Sequence, residues 1–290
     1  MNAINTIHDR NQGNWLRKIC TYYSLPNAYS LDIAEGCPLA CIYCILQTYL
    51  SHNSIRVFVN FSEQLESIHG AISSYKDNLF ISTGILADSL LINSIFPYID
   101  GIMYLAKKNP HALFELRSKI ADTSAVPRNK MNLENVIMSW SMNPQYLIDQ
   151  TEGAVASIKE RVKAAVRVCA SGYNVGFHLD PIIYYPHWQK DYTELLEHIF
   201  EAVPRKQIKY ISLGTLRFPG TFKELLRTRY RHHWIFKDEF IPVYKDTYSY
   251  LRPTRKTIYR TLITVLKEMY HFTGKILIME SDSAFDKLLL

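Results

Sequence analysis

Five cysteines in 290 residues are too few and too unevenly placed for a disulfide framework. Three crowd into positions 37–44, while Cys20 and Cys169 stand alone, which excludes a cross-linked secreted scaffold. No apolar run approaches the ~20 residues that cross a bilayer, and no N-terminal signal pattern is visible. No membrane span is expected, and the expected compartment is the reducing cytoplasm. Internal repeats, low-complexity tracts and Gly/Ser-rich linkers are also missing. A net charge of +6 is compatible with an anionic partner without requiring one. What remains is a chain of 48% hydrophobic residues, able to bury a full core, at a length that one (β/α) barrel domain commonly occupies.

The clustered cysteines lie in Glu35-Gly36-Cys37-Pro38-Leu39-Ala40-Cys41-Ile42-Tyr43-Cys44, a C-x3-C-x2-C spacing. A four-iron four-sulfur cubane is fully ligated by four thiolates, so three leave one iron open. A zinc knuckle, a redox dithiol and three unrelated core cysteines are the alternatives. Structural zinc normally takes four ligands, as paired C-x2-C units or C-x2-C with a histidine pair. Neither follows here, and the nearest histidine is His52. The open iron and Tyr43, an aromatic immediately before the third cysteine, resemble the radical S-adenosylmethionine (radical SAM) enzymes. There the cofactor's methionyl end fills the open position and the aromatic lies beside the adenine. The resemblance implies a 4Fe-4S cluster and S-adenosyl-L-methionine.

Short β-rich apolar runs alternate with longer helical ones, the pattern of βαβ units and a parallel sheet. Strands are expected at 29–33, 79–83, 113–117, 136–141, 175–179 and 208–214. Helices are expected at 41–50, 61–75, 159–171 and 191–201, with Gly172 as a C-cap. The fold class is therefore α/β, a partial (β/α)6 TIM-type barrel over 29–218. An N-terminal extension precedes it over 1–28, and a helical and loop extension over 219–290 caps or flanks it. Chemistry in such a barrel sits at the C-terminal ends of the strands, and the cysteines follow the first one.

Over about 29–218 the chain resembles, more specifically, the spore photoproduct lyase family. Ile55-Arg56-Val57-Phe58-Val59-Asn60 is similar to the family's valine-rich strand ending in Asn. Phe177-His178-Leu179-Asp180-Pro181-Ile182, after Gly172-Tyr173, resembles its fifth strand, and Ile211-Ser212-Leu213-Gly214-Thr215-Leu216-Arg217-Phe218 its sixth. The resemblance implies that Lys119, in Leu116-Arg117-Ser118-Lys119, meets the carboxylate of the cofactor by charge-assisted bonding. It implies that Ser141 and Asn143 contact the ribose or amino-acid part. Ser82, Thr83 and Gly84 occupy the place where backbone approaches the cofactor's amino group. Without the family these would read as a solvated lysine, strand-end caps and a plain turn.

Two departures matter. The lyase returns a hydrogen atom from a cysteine in the loop after its second strand, and here Ser82-Thr83-Gly84-Ile85-Leu86-Ala87-Asp88 holds none. Ile45 stands where the lyase carries a tyrosine. Cys169 falls on the helix before the fifth strand, as a core residue. A lyase-like paralogue is expected rather than a photoproduct lyase. The expected enzyme cleaves S-adenosylmethionine reductively to a 5′-deoxyadenosyl radical that abstracts hydrogen from a substrate. A small molecule is favoured, and an electron donor such as flavodoxin or ferredoxin is implied.

Asp88, His178, Asp180 and Tyr184 are the candidate catalytic or substrate-binding residues, all near strand ends. Asp180 stands where the lyase has a small apolar residue, and His178 shares its strand face if the strand runs that far. DNA remains a possible substrate, because Arg227-Thr228-Arg229-Tyr230-Arg231-His232-His233-Trp234 and Tyr248-Ser249-Tyr250-Leu251-Arg252-Pro253 interleave basic and aromatic side chains. The alternatives are a lyase-like DNA repair enzyme and a non-catalytic Fe–S or zinc protein that binds nucleic acid. Lys119, Ser141 and Asn143 discriminate against the last, since a structural metal site needs no cofactor pocket.

Overall fold

The computed structural model describes residues 4–8, 10, 15–19, 25, 27–128, 134–280, 285 and 288; Cys20 lies outside them. The strands are β1 (Ile4–His8), β2 (Leu16–Lys18), β3 (Ala28–Leu31), β4 (Ala34–Glu35), β5 (Ile55–Phe58), β6 (Leu79–Ser82), β7 (Ala112–Ser118), β8 (Val136–Ser141), β9 (Asn174–Ile182), β10 (Ile208–Thr215), β11 (Arg217–Pro219), β12 (Phe240–Tyr244), β13 (Thr247–Tyr250) and β14 (Lys275–Ile278). The α-helices are α1 (Leu46–Tyr49), α2 (Leu65–Ser73), α3 (Ser89–Ile95), α4 (Ile99–Lys108), α5 (Gln145–Thr151), α6 (Ile158–Ala170), α7 (Trp188–Ala202), α8 (Phe222–Thr228) and α9 (Arg252–Thr264).

Eight strands form the main sheet in the order β14-β10-β9-β8-β7-β6-β3-β2, a curled half-barrel. The six expected strands are its parallel centre, β3 and β6 to β10. Helices on the outside leave the central strands buried on both faces, so β8 reads Val-Ile-Met-Ser-Trp-Ser with all six residues buried. Two edge strands were not anticipated: antiparallel β2 on one side and parallel β14 on the other. The segment after 219 therefore supplies a strand of the main sheet as well as two strands, β12 and β13, of the antiparallel sheet β11-β13-β12. Four residues of Lys-Ile-Leu-Ile next to a polar tail carried too short an apolar signal to find β14.

Helix α6 begins at a capping box, with Ser157 and Glu160 satisfying each other's backbone N–H. It ends before Gly172, whose φ of +91° makes the left-handed cap that a side chain would strain. The expected helix at 41–50 shortens to α1. Residues 41–45 turn instead, with the Cys44 N–H donating to the Cys41 carbonyl at 3.1 Å, because the cysteines must face one way. The expected helix at 61–75 divides into a 3-10 stretch, Val59–Gln64, and α2. Helices α3 and α4 were missed: each is short, and Asn93 accepts from the Tyr98 and Ile99 N–H groups at the break between them. Among the described residues no single helix is long and apolar enough to cross a membrane.

Candidate active site

The loop after β4 is shaped by two left-handed residues, Gly36 at φ +97° and Ala40 at φ +52°. A side chain on Gly36 would lie 2.6 Å from the Ser54 carbonyl oxygen. The loop is tied to the frame on both sides, by Gly36 N–H to Leu86 O at 2.9 Å, Ile42 N–H to Thr151 O at 2.9 Å and Gly153 N–H to Leu39 O at 3.0 Å. Gln47 closes it from within, donating to Cys41 O at 3.1 Å and Ile42 O at 3.3 Å. So held, Cys37, Cys41 and Cys44 all line one cavity of about 280 Å3, together with Gly84, Arg117, Lys119, Ser141, Asp180 and Arg217.

All three thiols are free, and burial pushes all three above the ordinary thiol range, Cys41 to about 11 against the pull of Lys119. A thiol so raised is not an activated nucleophile; three of them facing one cavity are placed to ligate a metal centre, which itself deprotonates a coordinating thiol. Among the described residues no three His, Cys, Asp or Glu side chains converge on a single-ion site. The irons of a cubane are ligated one thiolate each, so three thiols spaced around a cavity fit such a cluster.

Behind the thiols lies a buried polar cluster centred on Glu152, a residue that sequence reasoning passed over. The Lys119 ammonium donates to Glu152 Oε1 at 2.6 Å and to the Tyr43 hydroxyl at 2.8 Å. Arg161 reaches the other oxygen, Oε2, at 2.5 Å, and the Tyr43 hydroxyl donates to Oε1. Asn143 donates to Oε1 at 3.3 Å and accepts from Tyr192 at 2.8 Å. Burial would raise the Glu152 carboxyl, but Lys119 and Arg161 outweigh it and hold it at about 2. A signal existed: Arg161 sits on the apolar face of α6 between Ile158 and Val162, both buried, and an arginine there demands a buried carboxylate.

The far end of the cavity is built from arginines. A side chain on Gly84 would fall 2.5 Å from the Arg117 carbonyl oxygen and 2.6 Å from its Cβ, so the glycine is there to admit Arg117. Asp180 sits near the end of β9 where the register with β10 shifts, between the pairs Leu213–Leu179 and Thr215–Ile182. Bulges of this kind re-aim side chains, and the Asp180 carboxylate here takes both arms of Arg217, at 2.9 and 3.0 Å. Burial alone would raise Asp180; Arg217 more than offsets it, and the carboxyl is held below its ordinary range.

The other expected residues divide. Asp88 lines the cavity but its oxygens cap α3 at the Leu91 N–H and accept from Ser118 and the Lys119 N–H. Ser82 is wholly buried on β6. Thr83 turns to α3, hydrogen-bonding Ser89 at 2.8 Å. His178 lies within the barrel, between Ser212 and Glu115. Burial and Arg117 push its pKa down, and its Nδ1 pairs with the Ser212 hydroxyl and its Nε2 with Glu115. Tyr184 lines a different cleft with Trp188 and Trp234 and is half-exposed. The structure thus gathers the three cysteines, Tyr43, Gly84, Lys119, Ser141, Asp88 and Asp180 around the cavity, and leaves Ser82, Thr83, Asn143, His178 and Tyr184 off its wall.

The family model described as spore photoproduct lyase matches residues 16–263. Spore photoproduct lyase of Clostridium acetobutylicum is 26% identical over 184 residues, 63% of this chain and 54% of that protein. The Geobacillus sp. lyase is 27% identical over 233 residues, 77% of this chain and 66% of that one. The chain therefore spans between just over half and two thirds of these relatives. A solved mutant of spore photoproduct lyase, with bound AdoMet and dinucleoside spore photoproduct, superposes at a TM-score of 0.76 and 21% identity, covering 87% of this chain and 76% of that one. At that identity the likeness establishes the fold.

Proposed function

Because this chain belongs to the spore photoproduct lyase family, we propose that it is a radical SAM enzyme whose Cys37, Cys41 and Cys44 hold a 4Fe-4S cluster beside a bound S-adenosylmethionine. One observation carries the reading: a three-thiol loop without a fourth cysteine faces the same cavity as Lys119, Ser141 and Gly84. The AdoMet bound to the solved relative supports it. When bound, the pair supplies one-electron cleavage of the sulfonium and a 5′-deoxyadenosyl radical that abstracts hydrogen from carbon.

The chain's own residues bind and orient. Lys119, its ammonium fixed by Tyr43 and Glu152, presents its remaining N–H to the cofactor's carboxylate. Ser141 holds the ribose or amino-acid part and Gly84 lets backbone approach, while Asn143, buried on Glu152 and Tyr192, positions the cluster that fixes Lys119. Leu39, Leu46, Pro181 and Leu216 line the remaining wall and exclude water from it. The electron comes from a carrier of the flavodoxin or ferredoxin kind.

A small-molecule substrate is favoured because the loop after β6, Ser82 to Asp88, holds no cysteine to return a hydrogen atom. Ile45, beside Cys44, offers no phenol. The second reading, lyase-like DNA repair, is supported by the dinucleoside photoproduct bound to the solved relative. It is supported too by Arg229 and Tyr230, which reach Gln47 of the cysteine loop.

Anaerobic reconstitution with iron and sulfide, reduction and addition of S-adenosylmethionine test the reaction. The wild-type chain should form 5′-deoxyadenosine, and Cys41→Ala should lower it at least a hundredfold; equal yields from the two would sink the assignment. Loss of the lesion from irradiated DNA in the same assay would replace the small-molecule reading with repair.

A further inference from the structure

The cofactor reading leaves the arginine end of the cavity without an occupant. Lys119 is held by Tyr43 and Glu152 beside the thiols, whereas Arg117 lines the cavity beyond Ser141, which its Nε meets at 3.4 Å. Each arginine there has a glycine cleared for it. Gly84 admits Arg117, as above; a side chain on Gly214 would lie 2.6 Å from Asp180 Oδ1 and 2.7 Å from Arg217 Nη1.

At this end each carboxylate is already engaged by donors other than Arg117, Glu115 by His178, Ser139 and Tyr210. Arg217 is matched by Asp180, and Asp88 is occupied by its own three donors. Arg117 lines the cavity with a 3.4 Å contact from Nε to Ser141 Oγ, and among the described residues no carboxylate stands within ion-pair distance of it. A guanidinium fork left over in a partly buried cleft is the complement of a carboxylate or phosphate.

We propose that the arginine end binds an oxyanion of the substrate, carboxylate or phosphate, on Arg117, with Arg217 held alongside by Asp180. The proposal rests on the reading of the thiol end as the cofactor site. It makes Arg117 the specificity-determining residue: a substrate lacking the anion leaves one cation unmatched in a cavity it must share with the sulfonium.

The test uses the reconstituted full chain saturated with S-adenosylmethionine, with inorganic phosphate and succinate as probes, read by calorimetry and by the thermal midpoint. Wild-type protein should bind one of the probes in the millimolar range, the tighter of the two telling phosphate from carboxylate. Arg117→Ala should weaken it at least tenfold while S-adenosylmethionine affinity moves less than threefold. Arg117→Lys should recover part of the loss, since a point charge cannot make the fork.

Unchanged probe affinity in Arg117→Ala overturns the proposal. So does a tenfold loss of S-adenosylmethionine affinity with the probe unaffected, which would give Arg117 to the cofactor's carboxylate. If the alanine variant does not fold, Arg117→Gln and the wild-type titration decide, and absence of any wild-type response is fatal. Formation of 5′-deoxyadenosine in the same samples separates the two readings. Probe binding lost alone removes the oxyanion site; 5′-deoxyadenosine lost alone removes the cluster assignment and leaves the oxyanion site standing.

Discussion

At the thiol end of the cavity one carboxylate, Glu152, answers two cations and a phenol, and its side chain is 0% exposed. At the arginine end Asp180 answers one guanidinium, and the pair is 11% and 23% exposed. Both are acidic residues held ionised by basic neighbours, yet they do different work. A fully buried pair is maintained only while every member is present, since removing one strands the others in a medium that cannot solvate them. A pair open to solvent loses less when broken, because water takes up the freed charge. The thiol end is therefore preassembled for a resident group, and the arginine end is left accessible for something that comes and goes.

The largest effect should come from Glu152→Ala, which strands Lys119 and Arg161 together. A loss of about 3–5 kcal/mol is expected, read as a lower urea midpoint; a loss under about 1 kcal/mol would break the distinction between the two ends. The same carboxylate predicts an acid limb. Its folded-state pKa is depressed to about 2 from an ordinary 4.5, so its contribution is fully present above pH 4.5 and disappears as pH falls toward 2. That contribution is about 3 kcal/mol. Glu152→Gln should flatten the fall in stability between pH 5 and 3, and identical limbs in the two proteins would refute it.

A second, smaller contrast sets Gly84 against a glycine with nothing near it. Replacing glycine by alanine ordinarily stabilises by about 0.4–1 kcal/mol through the unfolded chain. Gly70→Ala in α2, where a side chain meets nothing within 4 Å, should do that. Gly84→Ala should destabilise by about 1–3 kcal/mol, because the obstacle is the backbone of Arg117 rather than a movable side-chain tip. Paired urea melts decide, and a stabilising Gly84→Ala would mean that the arginine was not packed against this glycine.

The same division between ends marks what was legible in the sequence. The cysteine spacing and Tyr43 before the third cysteine are local signals that lead to the thiol end; Lys119, just past β7, was legible only through the family resemblance. The six central strands were legible because strands buried on both faces are unbroken apolar runs. Glu152 was not, because its role depends on Arg161 nine positions on and on Lys119, which the loop after β7 brings to it. Arg117 and Gly214 were passed over for the same reason: a glycine's purpose is the side chain that another strand brings to it. His178 was misplaced for lack of a register; facing Ser212 across the β9–β10 pair, it belongs to the barrel interior. Strand alternation alone could not tell that side from the mouth.

The smallest effect expected is the most discriminating. Asp180→Asn keeps the shape and an acceptor but removes a charge from the arginine end. Because the pair is partly open to solvent, stability should fall by about 1 kcal/mol or less, several times less than for Glu152→Ala. Phosphate affinity should meanwhile rise, since one competing negative charge has left the cavity while Arg117 and Arg217 remain. Calorimetry with phosphate and a urea melt on the same variant give both numbers. A stability loss equal to that of Glu152→Ala would show that the arginine end is as sealed as the thiol end, and hence no mouth for a substrate. A fall in phosphate affinity would show instead that Asp180 serves the site by aiming Arg217, with direction outweighing charge.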